Sequence, residues 1–246
     1  MSTPREQQAT AASPADLSVT TQFSQEVAEA EALLYESLSD LYAPLSSLVR
    51  GHVQQMHPHL RSAIILAAGG GEDETSEQRT RRIAVAAALE MQSVALSIHK
   101  LLLQKTSHDM TVDKSLLGST ILSGDYCFSR AAVLATRSDS PQVVQIFAQA
   151  LRTISEGYLR HLFNPTLPVV DEDYELMAAG IQAVGVLARL PQSVQNTALE
   201  FARAALAHQR TGSALPLISL EHLTPPQQQR WIAFSGWLQA TASSDR

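Results

Sequence analysis

The stretch RRIAVAAALEMQSVALSIHKLLL, residues 81 to 103, sets the tightest limit on what this chain can fold into. Apolar and small residues recur along it at helical spacing, and Thr75 with Gln78 three residues later forms a capping-box pattern just ahead of it. Its alanines let neighbouring helix axes approach closely, which suits an antiparallel bundle. From Phe23 onward the same helical pattern holds almost everywhere, and β-branched alternation of strand length is hard to find. The expected class is all-α.

The punctuation agrees. Pro44 should bend or restart the first helix. Pro58 can open a short helix, PHLRSAIILAA, which Gly69, Gly70 and Gly71 should stop by permitting positive φ at its C-cap. Asp113 or Ser115 can start the next long helix. Ser140 with Pro141 reads as N-cap and N1 of another, ended by Asn164 and Pro165. Asp171, Glu172 and Asp173 suit a helix start, where carboxylates meet the positive end of the macrodipole, and with Glu175 they read as a solvated face. Pro191 separates two further helices, and Pro225 begins a last one.

The chain has 246 residues, 45% of them hydrophobic, enough for one substantial core. Residues 1–21 lack apolar periodicity and read as a disordered tail, leaving 22–246 as one helical domain without a repeat of fixed period. A net charge of −6 argues against a nucleic-acid partner, which would call for a basic face. Cys127 is the single cysteine and cannot form an internal disulfide. With no leader and no transmembrane-length apolar segment, the expectation is a reduced, cytoplasmic protein.

Five segments occur in a telling order: HLRSAIILAAG, ALEMQSVALSIHKLLL, ILSGDYCFSRAAVLAT, ISEGYLRHLF and LAHQRTG. In order and spacing they resemble the trans-polyprenyl diphosphate synthases from about Ala28 to Gly212, with LSGDY the most specific piece. The resemblance implies an isoprenoid-synthase-type helical bundle around a central cavity, here truncated at the C-terminus. It also implies two aspartate-rich motifs on facing helices, where magnesium would bridge carboxylates to a diphosphate.

Both motifs are degenerate. After Ile98 and His99 the first one's aspartate positions hold Lys100, Leu101 and Gln104, and a lysine there would repel magnesium. At the second, Gln209 is retained but Gly212 and Ser213 stand where the aspartates belong. The family's GKxxR motif for isopentenyl diphosphate keeps only Arg61, with His57 and Pro58 at the glycine and lysine positions. Its later Lys-Thr pair is absent from AAGIQAVG. Arg61 and Gln209 are therefore relic ligand-binding candidates, with no catalytic residue, metal ligand or cofactor expected.

Leucines at helical spacing are ordinary core residues, so Leu101, Leu102 and Leu103 need no function beyond packing, although three in a row cannot share one narrow stripe. Cys127 reads as a buried thiol and Asp125 as a capping or pairing residue inside the bundle. The eight histidines, including His52, His57 and His59, do not form a metal motif. The reading is a non-catalytic polyprenyl-synthase-like protein, a regulatory or structural subunit forming a homodimer or a heterodimer with an active prenyl diphosphate synthase. The alternatives are an isoprenoid-binding protein without turnover and a prenyltransferase with a rebuilt site.

Overall fold

A computed structural model describes residues 14–55, 59–70, 74–105, 114–212 and 223–244. Among them lie nine helices and no strand: α1 Pro14–Glu36, α2 Ala43–Gln55, α3 Leu60–Ala68, α4 Ser76–Lys105, α5 Lys114–Thr136, α6 Pro141–Phe163, α7 Glu172–Leu187, α8 Gln192–Thr211 and α9 Pro225–Ser244. The all-α expectation holds. The boundary expected near Thr21 falls inside α1, and residues 1–13 lie outside the described ones.

α4 is the axis of the bundle. Every residue from Arg82 to Leu96 is buried, so the helix is enclosed on all sides rather than along one stripe. Its neighbours are α1, α2, α3, α5 and α7, and its alanines at 84, 86, 87, 88 and 95 admit them closely. Gly180 of α7 serves the same close approach: a Cβ there would lie 2.4 Å from Cδ1 of Ile65 in α3 and 3.2 Å from Leu89 in α4. A second core region joins α1, α8 and α9, where Phe201 meets Trp231 edge-on at 4.9 Å and Phe234 at 5.4 Å. Trp231 and Phe234 are fully buried, each removing enough apolar surface to contribute about 3 kcal/mol.

The helix starts follow local chemistry. Thr75 and Gln78 exchange both capping-box bonds, at 2.8 and 3.2 Å. Ser140 caps α6 with Pro141 behind it, Asn164 ends it, and the Asp171 carboxylate accepts from the Tyr174 N–H to cap α7. Pro44 lies in a true restart, α1 ending at Glu36 and α2 beginning at Ala43. One expectation is corrected at the end of α3: the C-cap Gly69 is extended at φ −87°, and the positive φ of 95° belongs to Gly70. What Gly69 supplies is room, since a Cβ there would sit 2.5 Å from Cδ of Arg82. Pro58 and Gly71 lie outside the described residues.

No described helix is long and apolar enough to cross a membrane.

Candidate functional site

The C-terminal turns of α4 carry Lys100 and Leu101, the residues that the sequence resemblance sets at its first motif. Lys100 projects from them to Glu172 in the first turn of α7, its Nζ donating to Oε1. The Tyr158 hydroxyl of α6 donates to the other oxygen, Oε2, at 2.6 Å, and the lysine ammonium lies 5.8 Å from the centre of the Tyr158 ring. Burial and the adjoining Glu172 carboxylate push the Tyr158 phenol upward, so it stays a donor at any physiological pH. One carboxylate thus joins α4, α6 and α7.

The neighbouring carboxylates of α7 are held in the same way. Arg61 of α3 donates to Asp173 Oδ1 from Nε at 3.2 Å and from Nη2 at 2.7 Å, and its Nη1 lies 3.5 Å from Glu90 of α4. Arg210, in the last turn of α8, grips Asp171 with two bonds of 2.7 Å and reaches Asp173 Oδ2 at 3.1 Å. The hydrogen bond from Arg210 draws Asp171 below the ordinary carboxylate range. For Asp173, burial acts upward, but Arg61 and Arg210 together outweigh it and hold the group low. Arg203 lies over the Tyr174 ring at 4.5 Å and donates to its hydroxyl at 2.8 Å.

These contacts revise one sequence reading. The run 171–173 is a paired and partly buried junction rather than a solvated face, with the Glu172 side chain only 13% exposed. Arg61, a ligand-binding candidate in the sequence, is paired with the carboxylates of Glu90 and Asp173. Gln209 is exposed on α8, outside this junction. Gly212 is the left-handed C-cap of α8 at φ 67°, so the helix ends where the sequence resemblance sets its second motif. Leu101 and Leu102 are half-buried; Ser213, His57 and the side chains of Leu103 and Gln104 lie outside the described residues.

The LSGDY segment has a local explanation. A Cβ on Gly124 would lie 2.2 Å from Nε2 of His99, so the glycine is where α5 makes room for that ring. His99 also packs tilted against Phe128 at 5.3 Å. Asp125 does not pair inside the bundle: its side chain is 61% exposed and meets His99 at 3.4 Å on the surface. Cys127 is buried, and burial pushes its thiol up to about 12.

At the opposite end lies a feature the sequence reading missed. Glu26 of α1 is fully buried between Arg82 of α4, at 2.8 Å, and Arg230 of α9, at 2.5 Å. Arg82 also pairs with Glu74 at 2.6 Å, and both arginines donate to the carbonyl of Leu66, an orphan acceptor in the last turn of α3. Burial acts to raise Glu26, yet the two guanidiniums lower it to about 2. The available signal was an acid at a core position, three residues after Phe23 and one before Val27. A pocket of about 170 Å³ adjoins this end, lined by Gly70, Glu74, Arg82, Val184 and Leu187 among others, and shares no residue with the motif positions. It is below the roughly 300–1,000 Å³ of small-molecule sites.

Solved structures share this arrangement of helices. The chain is similar to a decaprenyl diphosphate synthase from Rhodobacter capsulatus, with 19% identity, a TM-score of 0.60, and coverage of 93% of this chain and 88% of that one. It is likewise similar to a polyprenyl synthase from Caulobacter crescentus CB15 complexed with calcium and isoprenyl diphosphate, at 17% identity, TM-score 0.61 and the same 93% and 88% coverage. The chain has the polyprenyl-synthase fold. A geranylgeranyl pyrophosphate synthase from Lactobacillus brevis agrees, at 18% identity, TM-score 0.57, and coverage of 91% of this chain and 88% of that one. No family model and no curated protein matches the chain.

The residues that the sequence resemblance sets at its metal-motif positions do not suit magnesium. Lys100 is a cation, Leu101 offers no donor atom and Gly212 has no side chain, whereas magnesium calls for oxygen ligands. Among the described residues no group of three or more histidines, cysteines or acids is placed to hold a metal ion.

Proposed function

We propose that the chain is a non-catalytic polyprenyl-synthase-like protein that serves as a regulatory or structural subunit beside an active prenyl diphosphate synthase in the cytoplasm. The observation that carries this reading is the pairing of Lys100 with the chain's own Glu172, at a position where the sequence resemblance calls for a metal-binding acid. Diphosphate departure needs its growing charge neutralised, and residues that repel or cannot ligate a divalent ion do not supply that through a metal. The end of α8 at Gly212 supports the same conclusion for the second motif.

The subunit role draws support from the surfaces of α5 and α6. Leu122 and Val133 on α5, and Leu159, Leu162 and Phe163 on α6, are exposed large apolar side chains, with Phe163 84% exposed. Leu159, Leu162 and Phe163 stand at i, i+3 and i+4 on one face of α6, an exposed apolar strip that suits an interaction surface. A dimer should bury more than about 1,000 Å².

The test has two arms. The purified chain with magnesium, an allylic diphosphate and isopentenyl diphosphate should give no elongation above background. Co-purification from the native source should recover a prenyl diphosphate synthase, and ultracentrifugation should show a dimer. Metal-dependent turnover that tracks the protein would restore the rebuilt-site alternative. A monomer that recovers no synthase but retains a prenyl lipid would favour the binding-protein alternative.

A further inference from the structure

A second cavity, of about 260 Å³, lies between α1, the start of α4 and the start of α9, bordered by Gln22, Ser76, Arg79, Gln229 and Arg230. It sits at the start of the 30-residue α4, whose other end carries Lys100. Arg230 donates from Nε and Nη2 to Glu26 and the Leu66 carbonyl, and its Nη1 makes no hydrogen bond among the described residues. No buried side-chain nitrogen or oxygen among the described residues lacks a partner, so this Nη1, on a side chain only 12% exposed, must border open space. Arg79 is in the same condition: its Nε and Nη2 reach Glu26 and Glu29, and its Nη1 is left over.

The rest of the wall adds donors. Ser76 is the first residue of α4, and the capping box satisfies the Gln78 amide while the Ser76 amide stays among the orphan donors of the helix start. Pro226, in the first turn of α9, brings a second helix start to the same space, and two positive macrodipole ends favour an anion there. Nearby acids are already engaged. Glu74 also borders the cavity, but both its oxygens accept from Arg82; Glu29 accepts from Arg79, and Glu77 from Arg81. Burial and the neighbouring Arg82 charge hold Arg230 below the ordinary arginine value, so a further negative charge beside it is favourable.

We propose that this cavity binds a phosphate-sized oxyanion, held by the unpaired Nη1 groups of Arg79 and Arg230 and by the Ser76 amide. Three donors from separate directions suit a tetrahedral ion, whereas a planar carboxylate presents only two oxygens. The volume falls short of the roughly 300–1,000 Å³ of drug-sized ligand sites, which suits an inorganic ion. The inference goes beyond the subunit reading and stands whether or not a partner synthase is found.

The test is calorimetric titration of inorganic phosphate into the full chain, with sodium chloride holding the ionic strength constant. The unaltered chain should saturate below about 10 mM phosphate. Arg79→Gln should weaken binding roughly tenfold. Ser76→Pro removes the amide donor at a position where proline suits a helix start, and should weaken it roughly threefold. Arg152→Ala, which removes an exposed charge on α6, should leave the affinity unchanged. Absence of saturation overturns the proposal, as does an affinity that Arg79→Gln leaves intact or that Arg152→Ala lowers equally. Should Arg79→Gln lose its helical circular dichroism, Ser76→Pro decides, and an affinity it leaves intact overturns the proposal.

Discussion

The bundle is pinned at two ends by the same chemistry under different conditions. At one end Glu26 sits at zero exposure between Arg82 and Arg230, and Arg82 is itself only 2% exposed. At the other, Lys100 and Arg210 retain 37% and 47% exposure as they hold the acids of α7. Charge pairing is equally good at both, so what differs is the state of a group left without its partner. A freed Arg210 returns to water, whereas a freed Arg82 remains in the core. Burial, more than bond geometry, therefore decides which end the fold depends on.

Removing Glu26 should have the largest effect. Glu26→Ala leaves Arg230 without its acid and Arg82 with Glu74 alone, and it opens space beside Leu66. Breaking a buried pair from one side costs about 3–5 kcal/mol, to be read as a lowered midpoint in urea unfolding. A change under about 1 kcal/mol would mean water reaches this end as freely as the other.

Acid should separate the two ends next. Glu26 titrates at about 2 in the folded chain against an ordinary value of 4.5, a depressed carboxylate, so its stabilisation is complete above the unfolded value. It is lost progressively as pH falls from near 5 toward 2, and amounts to about 3 kcal/mol. Asp171 and Asp173 act in the same direction, but solvent screens them. Unfolding free energy followed against pH should decline across that window, and Glu26→Gln should flatten most of the slope. A slope untouched by that substitution would assign the acid sensitivity to the α7 end.

Two glycines sharpen the contrast because their nominal clashes match. A Cβ at Gly180 would meet Ile65, which has no exposure, at 2.4 Å, and one at Gly124 would meet His99, 30% exposed, at 2.2 Å. Ile65 has nowhere to go, so Gly180→Ala should cost about 1–3 kcal/mol through overpacking. His99 can swing toward solvent, and Gly124→Ala should cost less than about 1 kcal/mol. Paired thermal melts of the two variants would check this, and equal losses would show that His99 is as confined as Ile65.

The sequence disclosed local features well and remote ones poorly. The Thr75–Gln78 box, the Ser140 and Asp171 caps and the stop at Asn164 depend on residues within three or four positions of each other, so a linear reading finds them. Lys100 and Gly212 were equally visible as residues of the linear sequence. Their consequences were not, because Lys100 meets Glu172 across 72 residues and Arg61 meets Asp173 across 112. Glu26 and Arg230 are 204 residues apart, and neither alone shows that the other will neutralise it. The acids at 171–173 looked solvated because helix-start preference, which they do satisfy, says nothing about what packs over them.

The smallest effects should come from the exposed junction itself. Lys100→Ala leaves Glu172 with the Tyr158 hydroxyl as a donor, and Arg210→Ala leaves Asp173 with Arg61 and Asp171 with its capping bond to the Tyr174 amide. No acid is stranded in either variant, so each should cost less than about 1 kcal/mol. The loss should shrink in high salt, since a Debye length of about 10 Å at 0.1 M ionic strength already screens groups this exposed. Urea unfolding of both variants in low and high salt measures the cost and its screening together. If Arg210→Ala matched Glu26→Ala, with no response to salt, the α7 junction would have to exclude water as completely as the core around Glu26.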